Sequence, residues 1–407
     1  MINLIPPLKI ENTEIVIPGS KSVTNRALIL AALTTRPVTL KYPLICDDTQ
    51  ALISSLVSLG INIERQQNEM IVLGSYLDVK DGEYDINANL SGTTIRFMTA
   101  FCCIVPGIKQ LYGQGHLNKR PIKGLVDALM FLGAKIGYMD EEGYLPLKIT
   151  SSSLQVRNLK IDGSVSSQFL SAIMLITPVI GNIKISVTGN TVSQSYINLT
   201  KRILDEWNFK KIESYAIEGD YSAASYFAAI AVLTKSKITL SNLKEDSTQG
   251  DREFFSIISQ MGNKVSFGEN KVTVVGKKLA PIDINMENCP DQAQTLAVLA
   301  AFADGKTVLT GVRSLRLKET ERVIALQNEL LKMGIKTESP DVDTLIIHGG
   351  DPKAATIETY GDHRMAMSFA VAGSKIDGMK IKNPEVVSKT FPNFWDKLNE
   401  IGIKISL

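Results

Sequence analysis

The sequence predicts an α/β protein of two similar lobes, each built from three repeats of about seventy residues, and two markers recurring in phase carry that expectation. The first is a turn rich in Gly, Ser or Asp that runs straight into a small-residue, apolar helical stretch. It occurs at Gly19-Ser20-Lys21-Ser22, Ser91-Gly92-Thr93, Gly163-Ser164-Val165-Ser166, Gly219-Asp220-Tyr221-Ser222, Pro290-Asp291-Gln292 and Gly361-Asp362-His363-Arg364, at intervals of 73, 71, 56, 71 and 71 residues. The second, about forty residues further on, is a helical run, a Gly and a short alternating strand, at Gly60, Gly133, Gly262, Gly334 and Gly402. Generic alternation of helices and strands would not keep two independent markers in step.

Each repeat therefore reads as turn, helix, strand, helix, Gly cap and strand, with further strands at its edges. The Gly is expected in the left-handed conformation that ends a helix and releases the chain into a strand. In the third repeat that marker is replaced by Glu206-Trp207-Asn208-Phe209-Lys210, and the same repeat has the short interval. A missing strand or hairpin is expected there. The Ala-rich run Tyr226 to Leu233 reads as a core helix.

The chain has 407 residues, 44% hydrophobic and 21% charged, which excludes disordered, collagenous and coiled-coil classes. Its 44 basic and 42 acidic side chains leave +2, a smaller surplus than a nucleic-acid binder shows. Cys46, Cys102, Cys103 and Cys289 have no paired spacing, so neither a disulfide framework nor a zinc cluster is indicated. Met1 to Ile17 lacks the pattern of a secretory signal and no apolar run reaches the length of a membrane span. Cytoplasmic residence, no membrane partner and a monomer are the expectations.

Helices that start at such turns present unpaired backbone N–H groups, so several starts converging in a cleft would bind an anion. The side chains at those starts agree. Lys21, Ser22 and, one turn on, Arg26 stand at the first, where cations run against the helix dipole and so point to a bound phosphate or carboxylate. Gly92 would let a ligand approach the backbone beside Arg96, and Arg120 precedes Pro121, which favours an extended backbone that aims the guanidinium. Ser166, Ser167 and Gln168 supply hydroxyls and an amide suited to a phosphorylated polyol, with Ser193 and Tyr196 beyond them. Asp291 would serve either as a helix cap or as a carboxylate among the cations. Arg316 to Arg322 concentrates charge on a helix, with Lys318 and Arg322 on one face beside Glu319; a salt-bridged solvent face has the same pattern. Arg364 opens the last helix and Lys389 lies near the end. His116 and His348 are less informative, and the second reads as a structural strand residue. No metal or nicotinamide motif occurs, so no cofactor is expected.

Taken in order, Gly19 to Arg26, Ser91 to Arg96, Arg120-Pro121-Ile122, Gly163 to Gln168, Glu218-Gly219-Asp220, Asp291, Lys318 to Arg322, Asp362 to Met367 and Lys389 to Pro392 resemble the 5-enolpyruvylshikimate-3-phosphate synthases over nearly the whole chain. The resemblance implies an inside-out α/β barrel of two lobes, residues 19–219 and residues 1–18 with 220–407, with an active site in the cleft that closes between them. It implies transfer of the enolpyruvyl group of phosphoenolpyruvate to the 5-hydroxyl of shikimate-3-phosphate. By similarity Lys21, Ser22, Arg26, Ser166, Ser167, Gln168, Ser193, Tyr196, Asp291 and Lys318 would hold shikimate-3-phosphate. Lys21, Gly92, Arg120, Gln168, Arg322, Arg364 and Lys389 would hold phosphoenolpyruvate. Asp291 and Glu319, with Lys21, are the candidates for proton transfer.

Two positions depart from that family's pattern. Leu90 stands where Asn is frequent, which removes a polar contact and bears on inhibition by glyphosate, and Ser314 stands where Asn can occur. The sister family that acts on a UDP-sugar normally has Lys-Asn at the first helix and a loop Cys. Here the chain has Lys21-Ser22 and no Cys between Tyr112 and Arg120. A catalytically silent binding protein of the same fold would not need Asp291 and Glu319 beside bound anions.

Overall fold

Each of the six turns leads into a helix. The computed structural model describes residues 1–155, 158–162, 166–181, 183–189 and 194–406. The chain opens with β1 (Ile2–Ile5) and β2 (Thr13–Val16). The first repeat is α1 (Lys21–Ala32), β3 (Val38–Lys41), α2 (Asp47–Ser58), β4 (Ile63–Arg65) and β5 (Glu69–Val72). The second is β6 (Glu83–Asn87), α3 (Gly92–Ile104), β7 (Ile108–Tyr112), α4 (Lys123–Phe131), β8 (Lys135–Tyr138) and β9 (Leu147–Thr150). The third is β10 (Leu159–Asp162), α5 (Ser167–Ile180), β11 (Ile185–Thr188), α6 (Gln194–Glu206) and β12 (Ser214–Ala216). The fourth follows with α7 (Tyr221–Thr234), β13 (Lys237–Ser241), α8 (Glu253–Gln260), β14 (Lys264–Gly268) and β15 (Lys271–Val275). The fifth is β16 (Asp283–Asn285), α9 (Ala293–Ala300), β17 (Lys306–Thr310), α10 (Arg322–Lys332), β18 (Lys336–Glu338) and β19 (Thr344–His348). The last is β20 (Thr356–Ile357), α11 (His363–Gly373), β21 (Met379–Ile381), α12 (Phe394–Glu400) and β22 (Lys404–Ser406).

Five sheets share one plan: a parallel pair extended by two antiparallel strands, as in the order β6-β7-β9-β8. Three of them borrow a strand from elsewhere in the chain. β12 pairs in parallel with β3, β2 pairs in parallel with β13, and β1 lies between β21 and β22. The borrowing divides the chain into Gly19–Glu218 and, together, Met1–Pro18 with Gly219–Leu407. In the third repeat β12 joins β3 of the first, and among the described residues no antiparallel strands extend the parallel pair β10-β11, in keeping with the expected loss of a strand or hairpin.

The five marker glycines all have left-handed backbones, with φ of 90°, 103°, 97°, 81° and 92° at Gly60, Gly133, Gly262, Gly334 and Gly402. A third recurring feature has no common residue type. The position just after the strand that follows the first helix of a repeat is left-handed at Tyr42, Gly189, Asn242 and Gly311, and so is Asn383, two residues after β21.

Each unit has its own core. In the unit of Gly19–Glu218, α1, α3 and α5 touch one another, and the other unit has the same trio in α7, α9 and α11. Almost every position of α1, α3, α7 and α11 is buried, whereas strands such as β7 and β13 alternate between buried and partly exposed. Helices apolar on all sides must lie inside, and the half-wet sheets wrap them, which gives the inside-out arrangement. Lys109, fully buried, completes the C-terminal end of α3 by donating to the carbonyls of Val105 (2.6 Å), Pro106 (3.2 Å) and Gly107 (2.9 Å).

Two residues leave no room for a side chain where the chain changes unit. A Cβ at Gly19 would be driven into the Tyr42 carbonyl oxygen, and one at Gly219 into that of Asn242. The adjoining backbone is fixed by Ser20 N–H donating to Glu218 O (2.8 Å) and by Asp220 N–H donating to Pro18 O (2.9 Å). Gly219→Ala is expected to lower stability by about 2–4 kcal/mol through this overlap. Gly60→Ala, with nothing near the new methyl, should cost only the left-handed penalty of about 1–2 kcal/mol. Urea unfolding midpoints of the two variants check the difference, and equal shifts would contradict it.

Candidate active site

In the unit of Gly19–Glu218, four helix starts come together. Lys21 Nζ donates to Asp48 Oδ2 at 3.0 Å, and Asp48, in the first turn of α2, is buried. The Asp48 carbonyl accepts from Thr94 Oγ1 at 3.1 Å, which ties the start of α3 to those of α1 and α2. Gln168, in the first turn of α5, donates from Nε2 to Thr93 Oγ1 at 3.3 Å and brings in the fourth. Over Gly92 lie two guanidinium groups: a Cβ there would sit 2.7 Å from Arg120 Nη1 and 3.1 Å from Arg96 Nη1. Arg120 has the extended backbone (φ −86°, ψ 131°) expected before proline. Lys21, Gly92, Arg120 and Gln168 thus belong to one cluster, in which helix dipoles and cations both favour an anion.

Ser20, the residue before α1, makes no side-chain cap, so the first helix start is not an ordinary capped turn. Ser166 caps α5 by accepting from Gln168 N–H at 3.3 Å, and Ser167 is buried in the first turn. Arg26 points inward. It is 2% exposed and donates from Nε to Thr200 Oγ1 (2.8 Å), from Nη1 to Ser22 O (2.8 Å), and from Nη2 to Tyr196 O (3.2 Å) and Ser171 Oγ (3.4 Å). All four acceptors are neutral, and burial pulls its pKa down to about 10. Arg26 therefore links Ser22 to Tyr196 and carries a positive charge that a bound anion would compensate. Ser193 lies outside the described residues, as do Gly163, Ser164 and Val165.

The second unit gathers its charges around Arg322, which is 1% exposed. Its Nε donates to Asp362 Oδ2 (2.7 Å), Nη1 to Asp291 Oδ1 (3.1 Å), and Nη2 to Glu319 Oε2 (2.9 Å) and Asp362 Oδ1 (3.4 Å). Burial works against this guanidinium, and Asp362, Glu319 and Asp291 together outweigh it and raise its pKa. Arg364 donates from Nη2 to Asp291 Oδ2 at 3.0 Å and from Nη1 to Asp291 O at 3.1 Å, while Lys318 Nζ stands 3.7 Å from Asp291 Oδ1. Burial opposes the ionised form of Asp291, yet Arg364, Lys318 and Arg322 hold its carboxyl well below the usual range. Lys389, also buried, ends the short turn Pro384–Lys389 that packs on α11.

The loop ahead of α11 is held by Glu329 on α10, which accepts from Tyr360 OH (2.7 Å) and Glu358 N–H (3.1 Å). Asp362 then caps α11 by accepting from Arg364 N–H at 2.8 Å, so the residue that holds the Arg322 guanidinium also fixes the backbone of Arg364. Asp291 lies in a short 3-10 turn and does not cap α9. The reading of Lys318 and Arg322 on one helical face is corrected. Arg313–Leu317 is a 3-10 turn, Lys318 is extended, and α10 begins only at Arg322, after Glu321 accepts from Ile324 N–H. From this extended position Lys318 reaches toward Asp291.

Sequence reasoning missed Asp48, Asp251 and Ser222. Asp48 stands in an acidic helix start, Asp47-Asp48, a weak signal that pairing with Lys21 would have explained. Ser222 closes the fourth marker turn, Gly219-Asp220-Tyr221-Ser222, which does not single it out, and Asp251 stands in no marker.

The sequence model described as EPSP synthase (3-phosphoshikimate 1-carboxyvinyltransferase) matches residues 8–398. The chain belongs to the EPSP synthase family. The 3-phosphoshikimate 1-carboxyvinyltransferase of Photobacterium profundum is 34% identical over 421 aligned positions, covering 98% of each chain. That of Vibrio vulnificus is 35% identical over 422, again covering 98% of each. Among solved structures, EPSP synthase from Acinetobacter baumannii superposes with a TM-score of 0.82 at 24% identity, covering 100% of this chain and 99% of the other. The enolpyruvyl transferase NikO from Streptomyces tendae does so with 0.74 at 15% identity, covering 100% and 98%. These two establish the fold. Of the two departures from the EPSP synthase pattern, Leu90 is 41% exposed, and Ser314 falls in the Arg313–Leu317 turn. No helix among the described residues is long and apolar enough to cross a membrane.

Asp251, 4% exposed, has its pKa pushed up to about 6: burial raises it, Arg364 opposes, and Asp291 adds to the rise. A carboxyl that binds its proton more tightly folded than unfolded contributes nothing adverse below the unfolded pKa and weakens the fold as pH rises through the folded one. Asp251→Asn is expected to stabilise the protein by about 1–3 kcal/mol at pH 7.5 and to lose most of that gain by pH 4.5. Thermal unfolding at the two pH values checks this; a gain that is equal at both, or larger at pH 4.5, would contradict it.

Proposed function

We propose that this chain transfers the enolpyruvyl group of phosphoenolpyruvate to the 5-hydroxyl of shikimate-3-phosphate, giving 5-enolpyruvylshikimate-3-phosphate and inorganic phosphate by addition and elimination. Membership of the EPSP synthase family along residues 8–398 is the observation that carries this reading. The charge distribution supports it, because a nearly neutral chain keeps Lys21, Arg96 and Arg120 in one cluster and Lys318, Arg322 and Arg364 in another, and both substrates are polyanions.

Shikimate-3-phosphate is assigned to Lys21, Ser22, Arg26, Ser166, Ser167, Gln168, Ser193 and Tyr196, with Lys318 and Asp291. Phosphoenolpyruvate is assigned to Lys21, Gly92, Arg120, Gln168, Arg322, Arg364 and Lys389. Addition requires a base to take the 5-hydroxyl proton as oxygen bonds to the enol carbon, and an acid to protonate the methylene carbon. Elimination returns a proton from that methyl group as the carbon–phosphate oxygen bond breaks and the double bond re-forms. Asp291, Glu319 and Lys21 are the candidates for these transfers. Asp291 is a poor base while three cations face it, and an arriving dianion that draws Arg364 and Lys318 to itself would raise its basicity. The reading includes cytoplasmic residence and a monomer, which sedimentation at the mass of one chain would support.

The deciding assay measures phosphate release from phosphoenolpyruvate with shikimate-3-phosphate or UDP-N-acetylglucosamine as acceptor. Release with the first alone is expected; release with the UDP-sugar alone would overturn the assignment. Asp291→Asn and Glu319→Gln should each lower turnover by on the order of a hundredfold or more while both substrates still bind. Near-normal turnover in either purified variant would remove that residue from the chemistry.

A further inference from the structure

Behind the Arg364–Asp291 pair lies a buried carboxylate that the proposed reaction does not use. Asp251 is the middle residue of the turn Gly250–Arg252, which Gln249 fixes against the start of α7 by accepting from Tyr221 N–H (3.2 Å) and donating to Gly219 O (2.8 Å). Asp251 Oδ2 accepts from the Ser222 hydroxyl, and Oδ1 has no hydrogen-bond partner among the described residues. The adjacent Arg252 does not neutralise it, since that guanidinium sits 4.7 Å over the Phe267 ring. Such a group weakens the fold, and buried carboxylates of this kind persist where function needs them.

What it does follows from the hydroxyl between. A serine hydroxyl has one proton and can accept as well as donate. With its proton committed to Asp251, Ser222 Oγ turns lone pairs toward Arg364, whose Nη2 lies 3.5 Å away. The Ser222 amide is itself held by Asp220 Oδ1 at 2.8 Å, so the hydroxyl starts from a fixed backbone. Arg364 is thereby gripped on one side by Asp291 and on the other by Ser222.

We propose that Asp251, acting through the Ser222 hydroxyl, positions the Arg364 guanidinium to receive phosphoenolpyruvate. The inference rests on the functional reading above. Asp251 and Ser222 are positioning residues: neither is assigned a contact with substrate. Asp251→Asn removes the charge that commits the Ser222 proton, and Ser222→Ala removes the link. Either change should loosen the hold on the Ser222 side of Arg364 while its bonds to Asp291 remain.

Steady-state kinetics of the full chain test this with phosphoenolpyruvate and shikimate-3-phosphate. Ser222→Ala and Asp251→Asn should each raise KM for phosphoenolpyruvate by on the order of tenfold, with KM for shikimate-3-phosphate little changed. Because one residue acts through the other, the double variant should be no worse than Ser222→Ala alone, whereas independent structural effects would add. Ser222→Thr, which keeps the hydroxyl, should restore the wild-type KM. An unchanged KM for phosphoenolpyruvate in either single variant, or additive effects in the double, would overturn the inference. If Asp251→Asn does not fold, the comparison of Ser222→Ala with Ser222→Thr decides, equal KM values counting against it. A wild-type chain inactive with this substrate pair would overturn the functional reading first, and this inference with it.

Discussion

A guanidinium taken almost wholly out of water must be compensated where it lies, and Arg322 meets that requirement with three carboxylates held in fixed directions. Its planar fork engages Asp362 at the start of α11, Asp291 ahead of α9 and Glu319 ahead of α10, so one side chain joins three chain segments. Asp291 then faces Arg364 and Lys318 as well. The arrangement of the carboxylates proposed for chemistry is thus a consequence of burying one cation. In the other unit Arg26 is buried as deeply, but its acceptors are hydroxyls and carbonyls. Arg322 gathers three carboxylates around itself, whereas Arg26 meets only neutral acceptors.

Both sites grow from the same architecture. A trio of helices buried on all sides leaves its N-terminal N–H groups at one end of each unit, where they cannot all be capped internally without giving up their use toward ligands. Asp220, Asp362 and Ser166 cap their helices, while Ser20 does not cap α1. The sheets contribute by closure: borrowing β12, β2 and β1 completes the outer layer and lets the chain pass between units at Gly19 and Gly219, where only glycine fits.

Most of this order was legible because it rests on backbone constraints with a residue signature. Gly60, Gly133, Gly262, Gly334 and Gly402 announce themselves because a left-handed helix end selects glycine. The left-handed positions after the strand that follows a repeat's first helix did not, since Tyr42, Asn242 and Asn383 adopt the same conformation without glycine. The charged run before Arg322 was misread as helical because its charges suit a helix face equally well, whereas Lys318 is extended and its Nζ stands 3.7 Å from Asp291 Oδ1. Asp48, Ser222 and Asp251 were invisible for a related reason: each acquires its role from a partner distant in sequence, and none stands in a pattern that names that partner. Arg26 was found, but its inward direction was not, because its spacing from Lys21 fixes a neighbourhood and not an orientation.

The geometry of the Arg322 fork, as distinct from its charge, sets the directions of the three carboxylates. Turnover of Arg322→Lys with phosphoenolpyruvate and shikimate-3-phosphate separates the two. Lysine keeps the positive charge but cannot hold three carboxylates in set directions, so turnover should fall by about a hundredfold or more while the chain remains folded. Near-wild-type turnover from a lysine at this position would contradict the account.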